Sequence, residues 1–447
     1  MAEEGLRSVP GPSGFSAFNA VAPPFNASGM VTDATSSTHA VSLSSLASPA
    51  ALFALFLVYA AICSSLRFRH EKAMLRRFNY PDRASLARMT SNDAQSILAD
   101  LMTFEFPFIY KTALQFAIFK TYGFETMSRL IVATKSFSDP KTAPKRYEDT
   151  VVIFGQFQLN PPTSAPCIKA ISRMNFLHSQ YKKAGKISNA DFLYTLSVCV
   201  TEPIRFINLY EWRPLNHMEI NAIGCFWKSL GDAMQIEYKG YLSRDTWKDG
   251  IEFVEDITSW AKGYEVEAMK PAKTNTLPAY ALADMLIYYV PSLLKPFAIG
   301  VLTALMGDRV RDAFMYPEPS IFTVLVAYGA LNIRRLVMRY LMLPRFSPLR
   351  FFSDPDPKTG RVHHFDWLVQ PYYVKGTFWN RWGPEGWLTW ALGGVVPGSG
   401  GEKFVPQGFL FEDIGPEAKR GKGKVEMEEW ERILKEQRPS GCPFSRG

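Results

Sequence analysis

The first feature in the pattern of apolar and polar positions is an uncharged apolar run from Pro49 to Leu66, Pro-Ala-Ala-Leu-Phe-Ala-Leu-Phe-Leu-Val-Tyr-Ala-Ala-Ile-Cys-Ser-Ser-Leu. As a helix it rises about 27 Å, close to the ~30 Å of a bilayer's hydrocarbon core. From about Asn92 onward, apolar residues recur at helical spacing. Asn92 or Asp93 is expected to cap a helix through Ile97, Leu101 and Phe104, which Pro107 ends. Further helices are predicted over 108–122, 125–133, 145–158, 165–184, 189–212, 216–236, 245–268, 276–290, 293–315 and 320–342. Alternating β-branched runs are almost absent, so the body reads as all-α. Residues 345–414 are rich in loops and tryptophans, and a short charged helix is expected near 416–436. The resulting division is a leader (1–46) expected to be disordered, an anchor (47–66), a basic linker (67–91), a helical domain (92–344) and an extension packed on it (345–447).

Charge sets the orientation of the anchor. Arg67, Arg69, Lys72, Arg76 and Arg77 follow the apolar run, whereas Arg7 is the one Lys or Arg among the first 46 residues. The positive-inside rule puts the body in the cytosol and the leader on the lumenal side, where Asn26-Ala-Ser28 forms a glycosylation sequon. A cleaved signal peptide is the competing reading. The long leader and the lack of a basic stretch before the run favour a single-pass anchor in the endoplasmic reticulum. A second apolar stretch, Ala281–Leu305, is interrupted by Asp284, Pro291, Lys295 and Pro296. It is expected to form buried helices or an interfacial hairpin, not a crossing.

Composition narrows the partners. The net charge is +8, but its positive residues are scattered and no zinc-finger or RNA-binding signature accompanies them. An anionic membrane surface, not nucleic acid, is the expected partner. Aromatic residues make up 14% of the chain, enough to fill a core and also line an apolar pocket. Five widely spaced cysteines without a C-x-x-C pair read as reduced thiols.

There is no P-loop, G-x-S-x-G, H-E-x-x-H, G-x-G-x-x-G or C-x-x-C-H motif. Of the six histidines, His39 lies in the leader, His70 beside the membrane and His217 at a helix start, while His363 and His364 follow the turn-forming Asp354–Gly360 segment. His178 differs, because Cys167, Ile171, Met174, His178 and Tyr181 form one inward stripe. An imidazole there needs a hydrogen-bond partner or a metal, and spacing leaves both open. On the preceding helix, Arg146, Asp149, Thr150, Ile153 and Phe157 share a face. Arg146 either pairs with Asp149 or Glu148, or joins Thr150 in binding an anionic group.

Longer stretches carry a resemblance. They include Glu105-Phe-Pro-Phe108, Lys111-Thr-Ala-Leu-Gln-Phe116, Lys145-Arg-Tyr147 with Asp149-Thr150, Arg173-Met-Asn175, His178-Ser179, Lys182–Asn189 and Leu193–Val198. Tyr210-Glu-Trp-Arg213, Phe226-Trp-Lys-Ser229, Gly231–Met234, Asp356–Arg361 and Arg381-Trp-Gly-Pro384 extend it. On these the chain resembles the ER-bound oxygenases of fungal mycophenolic acid biosynthesis, and through them the catalytic domain of bacterial latex-clearing rubber oxygenases.

The resemblance implies a globin-like helical fold holding haem b non-covalently, with His178 as the iron ligand and Arg146 and Thr150 on the opposite, dioxygen-binding side. Arg146 is also implied in cofactor binding. Where a rubber oxygenase has a Lys able to close onto the iron, this chain has Asp149. The expected function is haem-dependent oxidative cleavage of a carbon–carbon double bond in a lipophilic, isoprenoid-like small molecule. A non-catalytic haem- or lipid-binding membrane protein of the same fold is the alternative. An acyl-transfer enzyme ranks below both for want of a nucleophile in recognisable context.

Overall fold

Local signals along the chain produce helices almost everywhere a 3.6-residue period was read. The computed structural model describes residues 48–135, 137–437 and 441–444; the expected disorder of the leader and its sequon lie outside them. The chain divides into two units, Met1–Leu55 and Phe56–Gly447. Within the described residues the protein is helical, with isolated β-bridges (Phe352 with His364, Val362 with Phe409) and no strands.

The apolar run forms α1 (Pro49–Arg67), and α2 (Arg69–Phe78) continues it after a turn at Phe68. The body follows as α3 (Ser91–Asp100), α4 (Pro107–Thr121), α5 (Glu125–Thr134), α6 (Ala143–Leu159), α7 (Ala165–Lys183), α8 (Asn189–Tyr210), α9 (His217–Ala233) and α10 (Gly250–Ala268). Then come α11 (Lys273–Leu286), α12 (Lys295–Met306), α13 (Ile321–Tyr340), α14 (Phe378–Trp382), α15 (Pro384–Ala391) and the charged α16 (Lys424–Gln437).

The boundaries have local causes. Ser188 with Asp191 and Asn216 with Glu219 form reciprocal capping boxes at the starts of α8 and α9. Asp249 accepts from Ile251 N and Glu252 N, so α10 begins at Gly250 and not at 245 as the periodicity suggested. Thr90, not Asn92 or Asp93, caps α3 by accepting from Asp93 N at 3.0 Å. The last turn of that segment, Leu101–Glu105, is π-helical before Pro107 opens α4. The Ala281–Leu305 stretch does not form one helix. It is split among the buried side of α11, a 3₁₀ turn at Ser292–Leu294 and α12.

At the core α8 lies against α4, and α9 lies between α3 and α10. Helices α9 and α10 meet backbone to backbone, and a Cβ on Gly224 would collide with the Gly250 carbonyl. Asn221 seals the crossing by accepting from Gly250 N (2.8 Å) and donating to Leu86 O (3.1 Å). Buried Arg213 grips Glu219 through two contacts of 2.7 and 2.8 Å and reaches Glu105 (3.3 Å) and, on α2, Glu71 (3.7 Å). The basic segment after α1 is thereby tied to the helical body.

The end of the extension is gathered onto α7 by one side chain. Arg173, fully buried, donates Nε to Ile414 O (2.8 Å), Nη1 to Lys422 O (2.7 Å) and Nη2 to Glu412 O and Lys419 O (both 2.9 Å). Helix α16 then packs along α7. Replacing Arg173 with Met strands these carbonyls, so the expected loss is on the order of 3 kcal/mol. A lowered urea midpoint and early proteolytic cleavage between Glu412 and Lys424 check this; an unchanged midpoint refutes it.

Candidate functional site

Helix α6 distributes consecutive charged residues to different neighbours. Lys145 donates to both oxygens of Asp149 (3.0 and 2.9 Å) and to Gly415 O (2.9 Å), and Tyr373 Oη donates to Asp149 at 2.6 Å. Burial pushes the Asp149 carboxyl upward, and the Lys145 charge opposes the shift. Asp149 therefore serves as a buried anchor for the extension. Glu148, also buried, accepts from Leu368 N at 2.8 Å and faces His364.

Arg146 pairs with neither carboxylate. Its Nη1 donates to Thr150 Oγ1 at 2.8 Å, and the Thr150 hydroxyl donates to Arg146 O at 2.9 Å. The structure thus joins Arg146 and Thr150 one turn apart, both half-buried, while Asp149, Ile153 and Phe157 of the same predicted stripe are buried.

On α7, Cys167, Ile171 and Met174 point into the core as the spacing predicted. His178 is half-buried as a residue, with its ring edge-on to Phe192 at 5.5 Å between centroids. Its Nδ1 is buried and makes no hydrogen bond. Burial first, and the Arg146 charge second, bring its pKa down to about 4. The imidazole is consequently neutral at physiological pH, with an unsatisfied ring nitrogen.

An apolar cleft of about 910 Å³, counting the space open to solvent, runs between α4, α6 and the extension. Leu114 and Ile118 come from α4, Thr150 and Phe154 from α6, and Phe351 and Phe352 from the loop after α13. Gly155 lets the Phe352 ring lie directly on α6, where any Cβ would collide with it. The Lys111–Asp366 ion pair also borders the cleft. Thr150 is in its wall; His178 and Arg146 are not.

His364 follows the turn-forming Asp354–Gly360 segment in sequence, and the structure buries it in this wall. Its ring stacks on Phe352 (4.9 Å), and its Nδ1 stands 3.6 Å from Glu148 Oε2, beyond hydrogen-bond range. Burial raises the Glu148 pKa, with His364 opposing that shift. The family-like Asp356–Arg361 motif ends just before His364 and was the signal available. By contrast His217 is an exposed first residue of α9.

Among the described residues, no cluster of three or more His, Cys, Asp or Glu side chains is placed to hold a bare metal ion. A haem supplies four ligands of its own, so one histidine is a sufficient protein ligand, and His178 and His364 each carry a buried Nδ1 without a hydrogen bond that fits that requirement.

No family model matches the chain. It is 40% identical over 390 residues to the ER-bound oxygenase mpaB′ of Penicillium brevicompactum, covering 86% of this chain and 92% of that protein. The chain belongs to the MpaB family. The ER-bound oxygenase mpaB of the same organism is 38% identical over 372 residues, covering 81% of this chain and 88% of that protein. Its namesake from Penicillium roqueforti (strain FM164) is 40% identical over 265 residues, covering 59% and 89%. These MpaB names carry an oxygenase activity and an association with the endoplasmic reticulum.

The lowered His178 pKa has a measurable consequence. In the haem-free protein, below about pH 6.5 the unfolded chain protonates this histidine while the folded form does not until about pH 4, so stability falls as pH drops through that interval. His178→Gln removes this contribution and is expected to flatten the pH dependence of the urea midpoint there; an unchanged slope contradicts the assignment.

Proposed function

We propose that the protein is a membrane-anchored, haem-dependent oxygenase that cleaves a carbon–carbon double bond in a lipophilic, isoprenoid-like substrate, yielding carbonyl products. The observation that carries the reading is the apolar cleft with Thr150 in its wall and Arg146 hydrogen-bonded to it. Helix α1 would hold the body at the cytosolic face of the endoplasmic reticulum by a single crossing, where water-insoluble substrates concentrate.

His178 would hold the haem through its neutral imidazole, and Arg146 would pair with an anionic group of the cofactor. When bound, haem supplies the activation of dioxygen that no side chain here provides. Arg146 and Thr150, which hydrogen-bond to each other, would offer a guanidinium and, once its proton leaves the Arg146 carbonyl, a hydroxyl to oxygen atoms that gain negative charge during the reaction. The phenylalanines and aliphatic residues of the cleft bind an alkene chain and exclude water from it. No general base is needed to bind such a substrate, consistent with Asp149 and Glu148 being committed to the extension.

An absorption spectrum of the purified full chain is the direct test. A Soret band is expected in the wild type, lost in His178→Ala and retained in His217→Ala and His364→Ala. A band lost in His364→Ala and kept in His178→Ala would move the ligand to the other buried histidine. A fully stable protein that takes up no haem would refute the cofactor. Arg146→Ala and Thr150→Ala are each expected to lower olefin cleavage at least about tenfold, Thr150→Ala with haem binding intact and Arg146→Ala with haem binding weakened as well; unchanged cleavage would remove them from the reaction.

A further inference from the structure

The surface beyond the cleft carries large apolar side chains that are exposed among the described residues. On the 3₁₀ turn before α12, Leu293 is 88% exposed. On α13, Ile321 and Phe322 are 80% and 69% exposed, and Leu325, Ile333 and Leu336 also face outward. In α14 and α15, Trp379, Trp382, Trp387 and Trp390 are all exposed.

Direct contacts join these segments. Thr323 of α13 seats against Gly300 of α12, and Tyr328 Oη donates to Ala304 O at 3.2 Å. On the other side Tyr288 Oη, just before the 3₁₀ turn, donates to Gly393 O at 3.0 Å after α15. The surface continues to the anchor. Tyr59 Oη of α1 donates to Leu341 O at the end of α13 (3.0 Å), and the Arg339 guanidinium lies 4.2 Å over the Phe68 ring. His70 Nε2 meets Arg345 O at 2.7 Å.

Helix α13 satisfies length and composition for a crossing, but its other contacts argue against one. The uncharged part, Ile321–Ile333, rises only about 20 Å. Arg334, Arg335 and Arg339 follow it. One side is committed to the body: Thr323 and Ala327 are buried, and Arg334 pairs with buried Glu211 at 2.8 Å. An apolar outer side, a committed inner side, exposed tryptophans and arginines near the membrane entry are the chemistry of a helix lying in the headgroup layer.

We infer that α13, the Leu293–Leu294 turn and the α14–α15 tryptophans form a second membrane-binding surface that lies in the cytosolic leaflet, in the plane of the bilayer. The inference rests on the anchoring by α1 proposed above. Phe108, exposed beside the cleft-lining Pro107, stacks under Arg334 at 5.2 Å. The cleft thus opens beside an exposed phenylalanine at the base of α13, and a lipophilic substrate would enter there from the leaflet without crossing water.

The test uses the full chain in liposomes of phosphatidylcholine and phosphatidylserine. A polarity-sensitive fluorophore is attached at Leu293→Cys, Phe322→Cys or Trp387→Cys, with exposed Val425→Cys on α16 as the control and labelled wild type as the background. At the first three sites, lipids with a quencher near the headgroup should quench at least about twofold more than lipids quenched at mid-chain, while the control responds only to aqueous iodide. Stronger mid-chain quenching at residue 322 would mean a crossing helix and overturn the inference. So would iodide quenching at all three sites, or shielding from both lipid and iodide, in protein that still co-floats and resists alkaline carbonate. Protein that fails to co-float overturns the anchor reading itself, and this surface with it.

Discussion

The arrangement of the site depends on the guanidinium of Arg173. A planar cation with its donors in a fixed fork can satisfy several carbonyl oxygens at once, and here it satisfies Glu412, Ile414, Lys419 and Lys422 of an irregular loop. A loop of that kind has no ladder of its own to meet its backbone polarity. By drawing it onto α7, Arg173 fixes the end of an extension whose earlier residues line the site. Tyr373 reaches Asp149, His364 faces Glu148 and Phe352 covers Gly155. The cleft is thus formed partly by helices and partly by an extension whose end Arg173 secures and whose earlier part α6 holds through Glu148 and Asp149.

Helix α6 is the other half of that design. Its turn from Lys145 to Thr150 carries five hydrogen-bonding side chains besides Tyr147, and the 100° step between residues separates them by role. Lys145, Glu148 and Asp149 face the extension, whereas Arg146 bonds to Thr150. A basic residue at 149 would meet Lys145 and lose the Tyr373 contact, so the aspartate follows from its surroundings. The polar pair proposed for chemistry is free of the carboxylates that otherwise would neutralise Arg146.

The helical class was legible because it depends on nearest neighbours in sequence. The stripe on α7 and the capping residues Ser188 and Asn216 act within a turn or two, and α7 and α8 begin where those signals put them. The start of α3 differs from the expected Asn92 or Asp93 because the Thr90 hydroxyl accepts from Asp93 N, and all three residues are competent caps. What periodicity does not encode is which apolar face gets covered. Helix α13 has the same amphipathic signal as core helices, yet among the described residues its outer side is exposed. Of the candidate residues, the Arg146–Thr150 spacing and the inward stripe with His178 could be read locally. His364 could not, since its burial depends on Glu148 and Phe352 from distant parts of the chain.

Gly155 and Phe352 give the cleft walls of unequal permanence. The inner wall is helical, and its side chains are bound into the core, so substitutions there disturb packing across the whole body. The outer wall is a loop that rests on α6 only because a glycine leaves it room. Loops tolerate insertion and replacement far better than packed helices do. A lineage of such proteins can therefore alter the depth of its cleft by editing the segment around Phe351 and Phe352, leaving Arg146 and Thr150 on α6 untouched.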